Sequence, residues 1–191
     1  MKKAILFFSF VLIFFLVFHN FLYASGKTPL KGDVFPDITL TVSEKTLEND
    51  YLGLTAKGSF RISGIKAEVL IIEIYSMYCP YCQKEAPSVN ELYQIISKSE
   101  DIKNKVKIIG IGAGNTPFEI DVFRNQYTIQ FPLFSDETFK IHKAIGEVRT
   151  PYFFVVKKNT DGSNTLIYSK VGSIQDPGQF LDIILKEAGL R

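Results

Sequence analysis

The sequence predicts an α/β protein in which helices cover both faces of one mixed β-sheet. Two short aliphatic runs, at 69–75 and 106–113, flank a segment with helical periodicity, as in a strand–helix–strand unit. Two more β-forming runs, at 150–156 and 166–171, are separated by a turn and predict an antiparallel hairpin. A final apolar stripe at 180–185 predicts a closing helix.

The N-terminal segment is expected to direct the chain out of the cytoplasm. Lys2 and Lys3 precede an apolar run at 4–18 that contains a single serine, and the small residue Ala24 follows. A positive start, an apolar run and then small residues are typical of an export signal. Residues 4–24, at about 1.5 Å each, would also span a membrane core of ~30 Å. A cleaved signal peptide and a retained membrane anchor therefore both stay open.

The composition suits one globular domain outside the cytoplasm. The chain has 191 residues, of which 46% are hydrophobic, enough for a single substantial core. The formal net charge is +2 and no basic run alternates with aromatic residues, which argues against a nucleic-acid partner. We divide the chain into a targeting segment at 1–25, an N-terminal extension with a β-hairpin at 26–66, and a core domain at 67–191.

The extension carries no evident chemistry of its own. A short strand is expected from Ile38 to Val42, and the alternating segment Phe60 to Ile62 is expected to pair with it as a hairpin. Between them, 43–57 is polar and irregular, which predicts an excursion over the surface.

Two cysteines lie where a buried strand leads into a helix. The run at 69–75 is too short and too aliphatic for a typical helix and predicts a strand buried on both faces. Cys79-Pro80-Tyr81-Cys82 follows, and a helix is expected from there to about Lys98. Unpaired N–H groups and the positive dipole at the helix start would stabilise a Cys79 thiolate. Cys82 faces the core one turn on and can close a disulfide, so the sequence predicts a dithiol redox site. The apolar face comprises Cys82, Ala86, Val89, Leu92, Tyr93 and Ile96.

Other roles for the two cysteines are weaker interpretations. A structural disulfide across so short a loop would remove little chain entropy. A zinc site would need two further ligands, and His142 is the only histidine beyond the targeting segment. The same shortage argues against copper delivery, so no metal is expected.

The middle of the chain continues the alternation of strand and helix. After the strand at 106–113, the series Gly110, Gly112 and Gly114 lacks the spacing of a dinucleotide-binding loop, and close approach of neighbouring backbone explains it better. A proline and a capping-box glutamate predict a helix at 116–127. A short extended segment at 131–134 and a helix from Ser135 to Ile145 are expected next.

The last third of the chain predicts a hairpin and a helix. Thr150-Pro151 stands at the entrance of a β-forming run, where a proline is tolerated as the first strand residue or as a cis bond. The turn Asn159 to Gly162 leads into the returning strand. Asp176-Pro177 opens the closing helix and Gly189 ends it.

Together these motifs resemble an exported thioredoxin-fold protein of the TlpA/redoxin type, from about Gly32 to the C-terminus. The resemblance rests on the spacing of particular residues around Cys-x-x-Cys. Tyr78 departs from the family, which has tryptophan there, and Pro80-Tyr81 is closer to glutaredoxins. The matching positions are Cys79 and Cys82, Pro87 eight residues after the first cysteine, Glu73 six residues before it, Glu85 in a Cys-x-x-Cys-x-x-Glu pattern, and Thr150-Pro151 at the family's cis-proline.

The resemblance implies a thiol-disulfide oxidoreductase with no cofactor beyond the Cys79–Cys82 disulfide. Cys79 would attack a substrate disulfide and Cys82 would resolve the mixed disulfide. A buried Glu73 could take the proton from Cys82, or could be a structural carboxyl. Glu85 could share in the redox chemistry, or could be an exposed glutamate that satisfies the helix dipole.

The resemblance also implies how substrates would bind. Thr150 would offer its backbone to an extended substrate strand, and Pro151 would keep that edge open because it lacks an N–H. Tyr78 and Tyr81, with Pro80, could contact the substrate, and core packing accounts equally for Tyr75. Relatives usually act as reductants on exported proteins with disulfides and receive electrons from a membrane thiol transporter, so we expect a reductase in the periplasm or on the outer face of the cytoplasmic membrane.

Two other functions remain open. A thiol peroxidase of the redoxin type would need Pro-x-x-x-Thr/Ser-x-x-Cys; Ser76 fits, but Ile72 occupies the proline position. An exported chaperone or binding protein with an inert disulfide would need neither thiol for its activity.

Overall fold

The computed structural model describes residues 26–41, 46–55 and 58–191. The predicted signal peptide or anchor at 1–25 lies outside the described residues. No helix in the described ranges is both long enough and apolar enough to cross a membrane.

A five-stranded mixed sheet forms the centre of the molecule. Its spatial order is β5-β4-β3-β6-β7, with β3 parallel to β4 and antiparallel to β6, and with β5 parallel to β4. The first two strands form a separate antiparallel pair, in which Leu40 lies opposite Phe60. The expected hairpin of the extension is therefore present. The strands are β1 (Thr39–Thr41), β2 (Ser59–Arg61), β3 (Val69–Tyr75), β4 (Val106–Ala113), β5 (Leu133–Asp136), β6 (Tyr152–Lys158) and β7 (Asn164–Val171).

The helices cover the sheet on both faces, as the apolar patterns predict. Side chains of β3 alternate between the two faces, and every residue of this central strand is buried. One face packs against α2, α3 and α5, and the other packs against α1, α4 and the β1–β2 hairpin. The helices are α1 (Thr46–Leu52), α2 (Pro80–Lys98), α3 (Pro117–Tyr127), α4 (Lys140–Ala144) and α5 (Pro177–Ala188).

The surface excursion expected at 43–57 is wrong for the part of this segment that the structure describes. That part contains α1, and Leu52 is completely buried. The Tyr51 hydroxyl accepts a hydrogen bond of 2.9 Å from the Ile108 N–H, and Glu48 pairs with Arg124 of α3 at 2.9 Å. The helix was not predicted because this short polar segment has few apolar residues and therefore no clear helical periodicity. Tertiary contacts stabilise it instead.

The helix expected from Ser135 to Ile145 is also wrong in its first half. Ser135 and Asp136 belong to β5 and pair with Gly112 and Ala113 of β4. The helix begins only at Lys140, where the Asp136 carboxylate accepts hydrogen bonds from the Ile141 and His142 N–H groups. Asp136 therefore caps the helix from the end of a strand, a tertiary arrangement that resembles a local N-cap in the sequence.

The glycine series of β4 is explained by side chains rather than by neighbouring backbone. A Cβ at Gly110 would lie 2.5 Å from the Leu133 side chain, and one at Gly112 would lie 2.5 Å from Ile120. Gly114 has φ +68° and faces the Phe139 ring. Glycine therefore allows β5 and α3 to pack closely on the end of β4.

Candidate active site

The two cysteines lie at the carboxyl end of β3 and the start of α2. Cys79 is the N-cap of this helix, Pro80 occupies the first turn, and Cys82 follows within it. The strand ends at Tyr75 because the chain must turn there, and the turn closes with a hydrogen bond from the Cys79 N–H to the Ser76 carbonyl. Both cysteines are free thiols.

The Cys79 sulfur is half-buried and is the more acidic of the two thiols. Partial burial raises its pKa. Hydrogen bonding from the Thr150 side chain and from the N–H groups of Cys82 and Tyr81, together with the Cys82 thiol, outweighs burial, so the pKa of Cys79 is lowered overall. The Cys79 Sγ also lies 3.4 Å from the Thr150 carbonyl oxygen, which can accept from the protonated thiol. The sulfur is therefore accessible and ionises readily.

The Cys82 sulfur has the opposite character. The residue is completely buried and packs within the cluster that also holds Tyr75 and Val89. Burial raises the pKa of Cys82, and the neighbouring Cys79 and Glu73 raise it further, although a Ser76 backbone contact opposes this. Cys82 is thus held as a thiol until a base removes its proton.

Glu73 is buried beneath the cysteines. Alternation along β3 places its side chain on the same sheet face as Tyr75, which is the face that α2 covers. Its carboxyl makes no hydrogen bond or ion pair with another residue in the described part of the chain, and the residue is 4% exposed. Desolvation raises the pKa of Glu73 to about 8, and the charges of Glu85 and Cys79 add to this. A proton can therefore be taken up or released here close to neutral pH.

Glu85 is buried, so the alternative of an exposed first-turn glutamate is wrong. The residue is 3% exposed, and its Oε1 accepts a hydrogen bond of 2.8 Å from the Ile174 N–H. The sequence did not reveal this because Ile174 lies 89 residues further on, in the segment before α5. Glu85 therefore joins α2 to that segment and carries a second carboxyl close to Glu73.

Thr150 and Pro151 lie beside Cys79, joined by a cis peptide bond. A groove of about 460 Å³, which we call the Thr150 groove, runs from these two residues between 81–88 of α2 and 171–175 at the end of β7. Tyr81 lines this groove and is 72% exposed. The Thr150 N–H donates no hydrogen bond to any described residue. This edge can accept an extended chain.

The three tyrosines of the motif occupy different environments. Tyr75 is completely buried in the core, against Phe123, which supports the core alternative for this residue. Tyr78 is 65% exposed, and its hydroxyl donates a hydrogen bond to the Glu119 carboxylate at the start of α3. Tyr78 therefore lies on the α3 side of Cys79 and does not line the Thr150 groove, whereas Tyr81 does.

Two residues that fix the active-site loop were not recognised from the sequence as site residues. The Asn115 Oδ1 accepts a hydrogen bond of 2.9 Å from the Met77 N–H, and the Gln83 side chain donates to the Met77 carbonyl at 2.8 Å. Asn115 lies two residues after the end of β4, the parallel neighbour of β3. Since the carboxyl ends of neighbouring parallel strands share one edge, this position was the available signal.

No cluster of potential metal ligands occurs within the described ranges. The Nε2 of His142 lies 2.8 Å from the Val148 carbonyl, so that ring joins α4 to the segment that follows it. A larger cavity of about 660 Å³ lies between α3, β5 and α4 and is lined by neither cysteine.

The fold and the site together define a thioredoxin-like dithiol protein. The chain belongs to the AhpC/TSA family, whose model matches residues 31–172. The expected thioredoxin-like fold and TlpA/redoxin-type relationship are thereby confirmed.

The thiol-disulfide oxidoreductase ResA of Geobacillus kaustophilus is 25% identical over 160 residues, which cover 83% of this chain and 81% of that protein. The chain spans only about half the length of several other ResA proteins, for example 54% of the one from Geobacillus thermodenitrificans.

Solved structures support the same architecture. A structure described as a putative thiol:disulfide interchange protein DsbE from Chlorobium tepidum aligns with a TM-score of 0.63 and 18% identity, over 85% of this chain and all of the other. StoA from Bacillus subtilis aligns with a TM-score of 0.54 and 17% identity, over 77% of this chain and 96% of the StoA chain. At these identities the likeness concerns the fold.

Proposed function

We propose that this chain catalyses thiol-disulfide exchange on exported proteins, as a reductase. The observation that carries the proposal is the contrast between its two thiols. Cys79 is accessible with a lowered pKa, and Cys82 is buried one turn behind it with a raised pKa. An attacking thiolate and a protected resolving thiol are the two parts that such an exchange needs. The named relatives, which are thiol-disulfide oxidoreductases, support the same reaction.

The reaction begins at the Cys79 sulfur. Its thiolate attacks one sulfur of a substrate disulfide, a bond forms between the two sulfurs, and the other substrate sulfur leaves as a thiolate. Cys82 then gives up its proton and attacks the Cys79 sulfur, which releases the second substrate thiol and leaves a Cys79–Cys82 disulfide. The substrate gains two electrons and the protein loses two.

Glu73 is the proposed proton acceptor for Cys82. Its carboxyl lies on the same sheet face as Cys82, and its raised pKa matches a base that works near neutral pH. Glu85 is proposed to hold the segment that follows β7 against α2 and to raise the pKa of Glu73 through its charge. No cofactor enters this scheme, since the two thiols carry both electrons.

Substrates are proposed to bind in the Thr150 groove as an extended segment. The Thr150 N–H would bind the substrate backbone, and Tyr81 would contact the substrate on the α2 side. Pro151 has no N–H and so offers no competing hydrogen-bond donor at this edge. We propose that the segment at 1–25 directs export of the protein. We also propose, from the resemblance alone, that a membrane thiol transporter reduces the Cys79–Cys82 disulfide again. Tyr78 would contact a partner on the other side of Cys79.

Trapping tests this function. The full-length Cys82→Ser variant, expressed in its native host, should accumulate mixed disulfides with exported proteins that are visible without reductant. The Cys79→Ser variant should accumulate none. Adducts formed through Cys82 would reverse the two roles, and the absence of adducts in every variant would contradict the function. A reduction potential of about −270 mV for the Cys79–Cys82 pair would fit a reductant, and one of about −120 mV would fit an oxidant.

Peroxidase activity is the second enzymatic candidate, since peroxiredoxins share the redoxin fold. Ile72, at the proline position of the peroxidase pattern, lies within β3 with its side chain buried on the sheet face opposite Cys82. Rapid peroxide consumption by the reduced protein would favour this candidate over disulfide exchange.

A further inference from the structure

Two exposed cations line the Thr150 groove. Lys84 is exposed on α2, and Arg149 is exposed directly before Thr150. Neither side chain forms an ion pair or hydrogen bond with another residue in the described ranges. Both positive charges are therefore available to a bound molecule.

The groove is positive overall. Among the described residues that line it, the one acid is Glu85, which is buried and accepts a hydrogen bond from the Ile174 N–H. One buried carboxyl that already accepts a hydrogen bond therefore lines the groove together with two exposed cations. A negatively charged group that enters the groove gains attraction from Lys84 and Arg149 while it remains partly solvated.

The shape of the groove suits a polypeptide. Tyr81 on α2 and Val171 at the end of β7 are 72% and 59% exposed, line the groove and offer apolar contact. The Thr150 N–H, which donates to no residue in the part of the chain that the structure describes, can bind a backbone carbonyl. These features accommodate an extended chain with alternating side chains, in which an acidic side chain can reach the cations.

The position of Arg149 sets where that acidic residue must lie. Thr150, its neighbour in the sequence, has its carbonyl oxygen 3.4 Å from the Cys79 Sγ. An extended substrate advances about 3.3 Å per residue, so a side chain reaching Arg149 or Lys84 lies within roughly two residues of the reacting cysteine.

We propose that the Thr150 groove selects substrate segments with an aspartate or glutamate within two residues of the reacting cysteine, bound by Lys84 and Arg149. This inference rests on the proposed function and names the substrate class for the same site. Lys84 and Arg149 touch the substrate away from the sulfur atoms, so they set specificity rather than the chemistry of exchange.

A set of matched peptides tests the proposal. Each peptide contains one internal disulfide and carries either glutamate or glutamine at one of the four positions nearest the first cysteine, in an otherwise neutral sequence. The reduced full-length protein, in a nonionic detergent, is mixed with each peptide, and exchange is followed by acid quench and mass spectrometry. At low salt, at least one glutamate peptide should react about three to ten times faster than its glutamine partner, and added salt should reduce that ratio.

Variants that remove the same number of positive charges distinguish the effect of the groove cations from that of the protein's overall charge. The double variant Lys84→Gln/Arg149→Gln should bring the glutamate-to-glutamine ratio close to one, and taking the ratio within each variant removes any change in that variant's overall exchange rate, which is measured with neutral hydroxyethyl disulfide. The single variants should give intermediate ratios. The control Lys98→Gln/Lys143→Gln removes two exposed lysines outside the groove and should keep the full preference.

The outcomes distinguish this inference from the function it rests on. A ratio near one for every peptide with the native protein, with normal exchange of the glutamine peptides, would overturn the acidic specificity and leave the proposed function standing. Equal loss of preference in the control variant would also overturn it. If the native protein exchanges with none of the peptides and not with hydroxyethyl disulfide, the proposed function fails and this inference fails with it.

Discussion

The Cys79 sulfur lies 3.4 Å from the carbonyl oxygen of Thr150, a residue 71 positions further along the chain. Thr150 influences this sulfur in two opposite ways. Its carbonyl can accept a hydrogen bond only from the thiol, whereas its side chain hydrogen-bonds to the sulfur and favours the thiolate. The loop before β6 therefore tunes the proposed nucleophile as well as lining the groove where substrates are expected.

Replacing the Thr150 hydroxyl should make Cys79 less acidic. Thr150→Val keeps the shape and the backbone but removes the donor to the thiolate. We expect the pKa of Cys79 to rise, because the thiolate loses a hydrogen bond that favours its charged form. The measurement is the ultraviolet absorbance of the thiolate against pH in a Cys82→Ser background. Thr160→Val, in the exposed turn between β6 and β7, serves as the control and should leave the pKa unchanged.

Glu73 should make the reduced protein less stable as the pH rises. Between the ordinary carboxyl pKa and about 8 the folded protein keeps a proton that the unfolded chain has lost. The folded state then binds more protons, so the free energy of unfolding falls as pH increases through this window. Glu73→Gln removes this dependence. The variant should gain roughly 3–5 kcal/mol relative to the native protein between about pH 5 and about pH 8.5.

Urea denaturation of both proteins with excess reductant measures this difference. Glu68→Gln, at an exposed position just before β3, is the matched control and should show no such gain. A constant difference between native protein and Glu73→Gln across the window would show that Glu73 ionises in the fold like an exposed carboxyl.

Glu85 should contribute to stability through its acceptor and to the site through its charge. Glu85→Ala leaves the Ile174 N–H without its buried partner and should cost about 1–3 kcal/mol in the free energy of unfolding. Glu85→Gln keeps an acceptor oxygen and should cost less than the alanine variant. Because the charge of Glu85 raises the pKa of Glu73, Glu85→Gln should also make the Glu73-dependent loss of stability smaller and end it at a lower pH. Equal stability of Glu85→Ala and the native protein would contradict the first expectation.

The ion pair between Glu48 and Arg124 should stabilise the docking of α1 on α3. Their side chains are only 13% and 14% exposed and the charged atoms are 2.9 Å apart. Glu48→Gln leaves Arg124 in a partly buried place with Asp121 as its remaining acidic partner, so we expect a loss of about 1–3 kcal/mol in urea denaturation. The exposed pair of Lys31 and Glu187 is the control, and Glu187→Gln should cost less than about 1 kcal/mol. Equal costs would show that burial adds nothing to this pair.

The sequence predicted the parts of the fold whose signals are local. The strand at 69–75 and the helix that follows Cys79 were predicted correctly because the aliphatic run and the helical periodicity are both local signals. Asp176 and Gly189 likewise mark the ends of α5 as expected. Each of these elements is determined within a window of about twenty residues, which sequence patterns cover well.

Features that depend on distant residues were missed or misassigned. Asp136 looks like a local helix start but ends β5, because pairing with β4 outweighs its capping pattern until Lys140. Glu85 looks exposed by its place in α2 and is buried only because the segment at Ile174 folds over it. The charges of the Thr150 groove meet for the same reason, since Lys84 and Arg149 lie 65 residues apart in the sequence.

The reactivity of the two thiols towards an alkylating reagent tests the central claim most directly. The reduced full-length protein is treated with limiting iodoacetamide across a range of pH, and modification at each cysteine is followed by mass spectrometry. We predict that Cys79 reacts first, with a midpoint below that of an ordinary cysteine, while Cys82 stays unmodified. Equal rates at both sites, or a Cys79 midpoint at or above the ordinary value, would contradict the assignment of Cys79 as the nucleophile.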